Sequence, residues 1–372
     1  MDIAFLPPDD QQPSPPSGAD PQKQPLQNPP LQKAPLKKDP LQARLDELTK
    51  AAEGLLLGLA CGDAMGVPVE TLKRGSFCVQ GLQGFGTHGQ PAGTWSDDTS
   101  MALCQALSLK PGGSELKVCA RQLQDWLQRG FFTAGGAAFD AGPCTARAIA
   151  RLPYVASPEL AGGRESRDNG NACLVRTAPL VLSLLDTDSP AERFAAVRDA
   201  CAITHGHPLS AACCFVLTEF ERHLIQLKDA AGAYLALRRE FAGLRREVPD
   251  YPWKLSAKSL GRVLSGSIRH EAECDIASGN YVVHTLEAAL WCLLTSPTFS
   301  HAVLAAVNLG ADADTTGALT GALAGLHYGS AEIPFYWLEG IARHKFIQQA
   351  AHKAAQMALG LRGAGCLELG FA

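Results

Sequence analysis

Four aspartates stand in two short polar clusters within an otherwise apolar chain: Asp97 and Asp98 in Trp95-Ser96-Asp97-Asp98-Thr99, and Asp312 and Asp314 in Asn308-Leu309-Gly310-Ala311-Asp312-Ala313-Asp314-Thr315-Thr316-Gly317. Each cluster pairs its acids with hydroxyls and opens an apolar stretch of helical pattern. An aspartate at a helix start gains from capping free N–H groups and from the helix dipole. Taken alone, Asp312–Gly317 is equally an N-cap pair and a hard-cation site. The first cluster is less balanced, because one aspartate suffices as a cap and two like charges about 4 Å apart repel by about 4 kcal/mol at an effective dielectric near 20. Successive acids at a buried helix start therefore favour a cation. If the clusters converge, two divalent cations would neutralise them, with Ser96, Thr99, Thr315 and waters completing oxygen shells. Ligation by oxygen alone implies Mg²⁺ or Mn²⁺ rather than zinc or iron.

Other polar islands lie at helix ends. Glu70 follows Pro68 and reads either as a solvated loop residue or as part of a cleft. Asp168-Asn169-Gly170-Asn171 is a turn in which Asp168 could merely cap the run from Leu174 to Leu185. The His205-Gly206-His207 pair has no cysteine or third histidine at zinc spacing, so His205 reads as a hydrogen-bonding or substrate-facing residue. Loops of a helical globule can converge on one cleft, and these islands are candidates to do so.

The elements that must hold them read as helices. Glu53 to Gly62 is apolar on nearly all sides, as a central helix would be, and the glycines and proline of Gly62–Glu70 are expected to end it. Gly317, Gly321 and Gly325 share one face of the helix after Asp314, which lets its backbone press against a neighbour. Glu115–Arg129 is amphipathic, and Ser189-Pro190-Ala191-Glu192 has the spacing of a capping box for a helix to about Ile203. Residues 211–225, 230–246, 281–295, 300–307 and 337–361 carry further helical pattern, while Tyr251 to Asn280 reads as irregular. No sustained two-residue alternation occurs, so the expectation is an all-α domain over residues 43–365. Residues 1–42 are dense in proline, with Pro-Leu-Gln or Pro-Leu-Lys recurring every five residues from Pro25 to Gln42; this segment is predicted to be disordered, and either a linker or a docking tail.

Composition narrows the class. The 372 residues are 46% hydrophobic and 19% charged, with a net charge of -4 and no basic block, which offers nothing to nucleic acid. The 12 cysteines are scattered, without a Cys-x-x-Cys pair, and read as those of a reduced, cytoplasmic protein. The proline-rich start is unlike a signal peptide, and no apolar run is expected to span a membrane.

Gly62-Asp63-x-x-Gly66, Trp95-Ser96-Asp97-Asp98-Thr99, Asp168-Asn169-Gly170-Asn171 with Arg176-Thr177-Ala178-Pro179, Thr204-His205 and Asp312–Gly317 together resemble the motifs of the ADP-ribosylglycohydrolases, in that family's order, over about residues 50–330. The resemblance implies a compact helical fold with two Mg²⁺ or Mn²⁺ ions, and hydrolysis of the bond joining ADP-ribose to a protein side chain. It implies metal ligands at Ser96, Asp97, Asp98, Asp312, Asp314 and Thr315, proton handling by Asp168 or Glu70 with Asp98 at the reacting centre, and substrate contacts at Gly170, Asn171 and His205. Aspartate at position 168 resembles the arginine-directed members. Ser96 stands where threonine is usual, and Ala172 and Val175 replace the customary glycine and methionine. The partner implied is an ADP-ribosylated protein. A non-catalytic ADP-ribose-binding relative is the alternative, as is an immunity-type protein that neutralises an ADP-ribosyltransferase toxin, by hydrolysis or through its tail.

Overall fold

The computed structural model describes residues 39–361; the calls on residues 1–38 and 362–365 lie outside the described residues. The first element, α1 (Pro40–Gly66), opens on a proline, which suits a first helical position because its missing N–H would go unpaired there anyway. Pro40, Leu41 and Gln42 therefore belong to the helical body and not to the preceding tail. After α1 come α2 (Asp97–Ala106), α3 (Leu116–Arg129), α4 (Pro143–Arg151), α5 (Ala172–Thr177), α6 (Val181–Leu184), α7 (Pro190–Ala202) and α8 (Pro208–Leu227). The rest are α9 (Ala230–Gly243), α10 (Trp253–Ser259), α11 (Gly261–Ser265), α12 (Val282–Thr295), α13 (Phe299–Asn308), α14 (Ala313–Tyr328), α15 (Phe335–Gly340) and α16 (His344–Ala358). The fold is all-α as expected, apart from a short antiparallel pair, β1 (Leu109–Lys110) with β2 (Gly113–Ser114). Within Tyr251–Asn280, expected to be irregular, α10 and α11 are helical; each is too short to show a clear period.

The core is built on α1 lying antiparallel against α14. A Cβ placed on Gly54, Gly58 or Gly62 would fall 2.3, 2.2 or 1.9 Å from the carbonyl oxygens of Gly325, Gly321 and Gly317, and one on Gly66 would fall 2.2 Å from Asp314 Cα. Two glycine stripes with a four-residue period thus interlock, and no side chain larger than hydrogen fits between the backbones. This corrects the expected end of α1. The helix runs on through Gly62 and Gly66, because these glycines serve packing, and it gives way at Val67–Val69 where Pro68 sits. By length and composition Pro40–Val69 would also pass as a membrane span, against the sequence expectation, but 94% of its apolar window is buried inside the protein.

The loops that carry chemistry are fixed by these helices. The α13–α14 turn carries Asp312, and α2 begins at Asp97. The α4–α5 connection carries residues 166–171, and the α7–α8 turn carries His205. Ser189 caps α7 as its sequence predicts, accepting from Glu192 N at 3.3 Å.

Candidate active site

Capping at the first aspartate cluster is done by other groups. At α2 the N-cap is Ser96, whose Oγ accepts from Asp98 N at 3.2 Å. Asp63, fully buried on α1, accepts from Ser96 N at 2.9 Å, from Thr99 N at 3.0 Å and from the Thr99 hydroxyl at 2.6 Å. The N–H groups of Asp98 and Thr99 are therefore met without the side chain of Asp97 or Asp98, and Asp98 Oδ2 is buried with no hydrogen-bond partner. At α14, Asp312 holds the N-cap position but makes no capping bond. It accepts instead from Asn171 Nδ2 at 2.9 Å, while Asp314 Oδ1 accepts from Thr315 N at 2.8 Å. A buried, unpartnered carboxylate oxygen is costly, so the helix-cap reading does not account for Asp98.

Electrostatics point the same way. Burial pushes Asp97, Asp98 and Asp314 well above the usual carboxylate range, and the neighbouring acids add to it: Asp140, Asp63, Asp312 and Glu70 on Asp97, and Asp312, Asp98, Glu70 and Asp140 on Asp314. Asp63 is raised by burial to about 6, its hydrogen bonds to Ser96 and Thr99 working against that rise. Ligand atoms from Glu70, His88, Asp140 and Asp314 all lie within 4.8 Å of one another. His88 bonds the Glu70 carboxylate and packs on Phe139 with ring centroids 5.5 Å apart. A group this dense in acids can hold a hard cation.

These residues face a cleft of about 560 Å³, a volume suited to a small-molecule ligand. Glu70, Asp97, Asp98, Asp140, Asp312 and Thr315 line it together with Gly170, Asn171, His205, Arg147 and Tyr281. Among the predicted residues outside that lining, Asp314 joins through the carboxylate group, Ser96 through its bond to Asp98 and Asp168 through its bond to Arg147. Asn171 ties the substrate loop to the acids, donating to Asp312 and, at 2.8 Å, to Thr285 Oγ1. Gly170 sits so close to His205 that a Cβ would lie 3.1 Å from Nε2. His205 is driven to about 3 by burial and then by the charge of Arg176, so it is a neutral imidazole at ordinary pH.

Asp168 stands differently. Its Oδ1 accepts from Arg147 Nη2 at 3.0 Å and its Oδ2 from Glu165 N at 3.0 Å, completing a capping box with Glu165. Against the cost of burial, those donors hold Asp168 below the usual carboxylate value. Glu70 is the opposite case, raised by burial while His88 pulls it back. Sequence reasoning missed His88, Asp140 and Arg147 and gave no role to Asp63. His88 and Asp140 lie in glycine-rich loops without periodicity, where only a lone titratable residue among small ones marked them.

Residues 44–363 match the ADP-ribosylglycohydrolase family. The chain is 33% identical over 309 residues to the ADP-ribosylarginine hydrolase Tri1 of Serratia proteamaculans, covering 82% of this chain and 79% of that protein. It is 31% identical to the ADP-ribosyl-dinitrogen-reductase glycohydrolase of Rhodospirillum rubrum, over 77% of this chain and 88% of the relative. Among solved structures, an ADP-ribosylglycohydrolase-related protein complex superposes with a TM-score of 0.69 at 32% identity, covering 84% of this chain and 99% of the other.

Proposed function

This chain belongs to the ADP-ribosylglycohydrolase family, and from that membership we propose that it hydrolyses the bond between ADP-ribose and a modified arginine of a protein substrate, reversing mono-ADP-ribosylation. The observation that carries the reading is the cluster of Asp97, Asp98, Asp312 and Asp314, left with an orphaned buried oxygen on Asp98. That donor set fits hard divalent cations. Ser96, Asp97, Asp98, Asp312, Asp314 and Thr315 would hold them, and two Mg²⁺ or Mn²⁺ ions match the charge of four carboxylates. When bound, such ions would hold the ribose hydroxyls and position or acidify a water.

The chain's own groups do the rest. Cleavage at the ribose anomeric carbon builds positive charge on the sugar and needs a proton delivered or removed nearby. Glu70 faces the cluster with a raised proton affinity and is steadied by His88, so it suits the transfer. Asp168 stays ionised and already binds one guanidinium, that of Arg147. An acceptor arginine presents the same group, so Asp168 is assigned to orienting it. Neutral His205 and the Gly170-Asn171 turn position the ribose side, and Tyr281 on the cleft wall offers an aromatic face to a base. A non-catalytic relative would be expected to have lost part of this set, and the set is whole. A tail that occludes a toxin concerns residues 1–42, of which 1–38 lie outside the described residues. The described cysteines are all free, which supports a cytoplasmic, reducing setting.

The acceptor is tested by turnover of an arginine-modified against a serine-modified protein. Arginine release is expected to be faster, and Asp168→Asn should cut kcat/KM for it by about 10- to 100-fold, the worth of one charge-assisted hydrogen bond. Faster serine release would overturn the assignment.

A further inference from the structure

Beneath the substrate loop, away from the acid cluster, three helices bring together Cys173 (α5), Cys201 (α7) and Cys214 (α8). All three are fully buried, and their sulfurs lie within 4.8 Å of one another, with Cys201 and Cys214 3.7 Å apart. Buried cysteines usually serve as small hydrophobes, but the surroundings here are not apolar. Arg176, also fully buried, stands over the group. Its guanidinium bonds neutral acceptors, Gln105 Oε1 at 3.3 Å, the Cys201 carbonyl at 3.0 Å and Thr204 Oγ1 at 2.8 Å, and its Nε has no partner. Among the described residues no carboxylate forms an ion pair with it. A buried cation without a counter-charge is strongly unfavourable, and the Arg176 charge bears on the thiols around it, Cys201 and Cys214 of this group together with Cys104 and Cys119.

We propose that Cys173, Cys201 and Cys214 form a closed thiolate site for a thiophilic d¹⁰ ion, Zn²⁺ or Cu⁺, with Arg176 offsetting one negative charge. An ion about 2.3 Å from each sulfur sets the sulfurs about 3.8–4.0 Å apart, close to the 3.7 Å between Cys201 and Cys214, and the third sulfur lies within 4.8 Å of both. Soft sulfur ligands select such ions over the hard cations of the active site. On binding, three sulfur–metal bonds form and every thiol still protonated releases its proton to solvent. Three thiolates with Zn²⁺ carry one net negative charge, which Arg176 cancels. Cu⁺ instead fits the three-ligand count without a fourth donor. The site also touches the substrate platform, because the Cys173 thiol donates to Gly170 O at 3.4 Å and the Cys201 thiol to His205 O at 3.2 Å. Occupation replaces those two bonds by metal ligation and pins α5, α7 and α8 to one another behind Gly170 and His205.

The test uses the full chain, stripped of metal, reduced, and held in excess Mg²⁺ to occupy the carboxylates. Zn²⁺ and Cu⁺ are titrated separately against a competing chromophoric chelator, and the product is examined by X-ray absorption. The expected result, with at least one of the ions, is about one equivalent bound with three sulfurs near 2.3 Å; Zn²⁺ would add one lighter atom and Cu⁺ none. Cys78→Ser, at an exposed cysteine, should bind as the unaltered protein does, while Cys214→Ala should lose at least about 100-fold in affinity. Neither ion gaining a three-sulfur shell, or Cys214→Ala retaining one, overturns the proposal. Should Cys214→Ala not fold, the sulfur count of the unaltered protein decides alone.

Discussion

Asp98 concentrates the argument at the scale of single residues. Its Oδ2 is buried without a partner beside like charges, so Asp98→Asn should have two opposite effects. The metal-free protein should melt at a higher temperature, because a buried repulsion is gone, while metal-dependent turnover should fall by about 100-fold or more, as loss of a group acting at the reacting centre does. A variant that is both less stable without metal and fully active would contradict the assignment. The acids also fix a pH dependence. A carboxylate raised in the folded state stabilises the fold fully below its unfolded value and loses that contribution as pH rises through its folded value. For Asp63, between 3.8 and about 6, the loss is of order 3 kcal/mol, and the acids raised further extend it to higher pH. A cation favours the ionised forms, so the rise in melting temperature on adding Mn²⁺ should grow from pH 5 to pH 8. A rise that does not vary with pH would argue against these carboxylates as ligands. His205 does not disturb this difference, because its contribution is the same with and without Mn²⁺. The paired acids were legible because adjacent like charges at a helix start demand a reason. Asp63, His88 and Asp140 were not, because a lone titratable residue acquires its meaning only from what the fold sets opposite it.

Among the elements, the contact of α1 with α14 does most to place the site. The stripe Gly317, Gly321 and Gly325 could be read from the sequence, but its partner could not. In an apolar helix, Gly54, Gly58, Gly62 and Gly66 look like weaknesses, and Gly62 and Gly66, with Pro68, suggested an early stop. Only the interlocking of the backbones shows that they are required. Gly58→Ala and Gly66→Ala should each destabilise the fold by about 1–3 kcal/mol, the usual cost of overpacking, measured by denaturant unfolding. They should differ in metal binding: at Gly66 the added methyl meets the backbone of Asp314, whereas at Gly58 it meets Gly321, away from the acids. Mn²⁺ affinity is therefore expected to drop far more in Gly66→Ala. Equal losses would mean that α14 moves as a rigid rod and that no local fit holds Asp314. The short helices α10 and α11 escaped the sequence reading for another reason, since one or two turns cannot display a 3.6-residue period.

For the molecule as a whole, the class was open to reading because helical periodicity recurs from α1 to α16 with no competing alternation, and because the polar islands fall in loops between apolar helices. What a linear reading could not supply was convergence. Residues near 70, 97, 140, 170, 205 and 312 meet on one cleft, and that is a property of the topology. The central claim is that this cleft is a metal-dependent hydrolase site acting on ADP-ribosylarginine. Its most direct test is release of ADP-ribose from an arginine-modified protein by the full chain, with and without EDTA, followed by added Mn²⁺ or Mg²⁺. The account predicts release that EDTA abolishes and that either ion restores in the unaltered protein but not in Asp98→Asn; unchanged release in EDTA, or no release with both ions present, would contradict it.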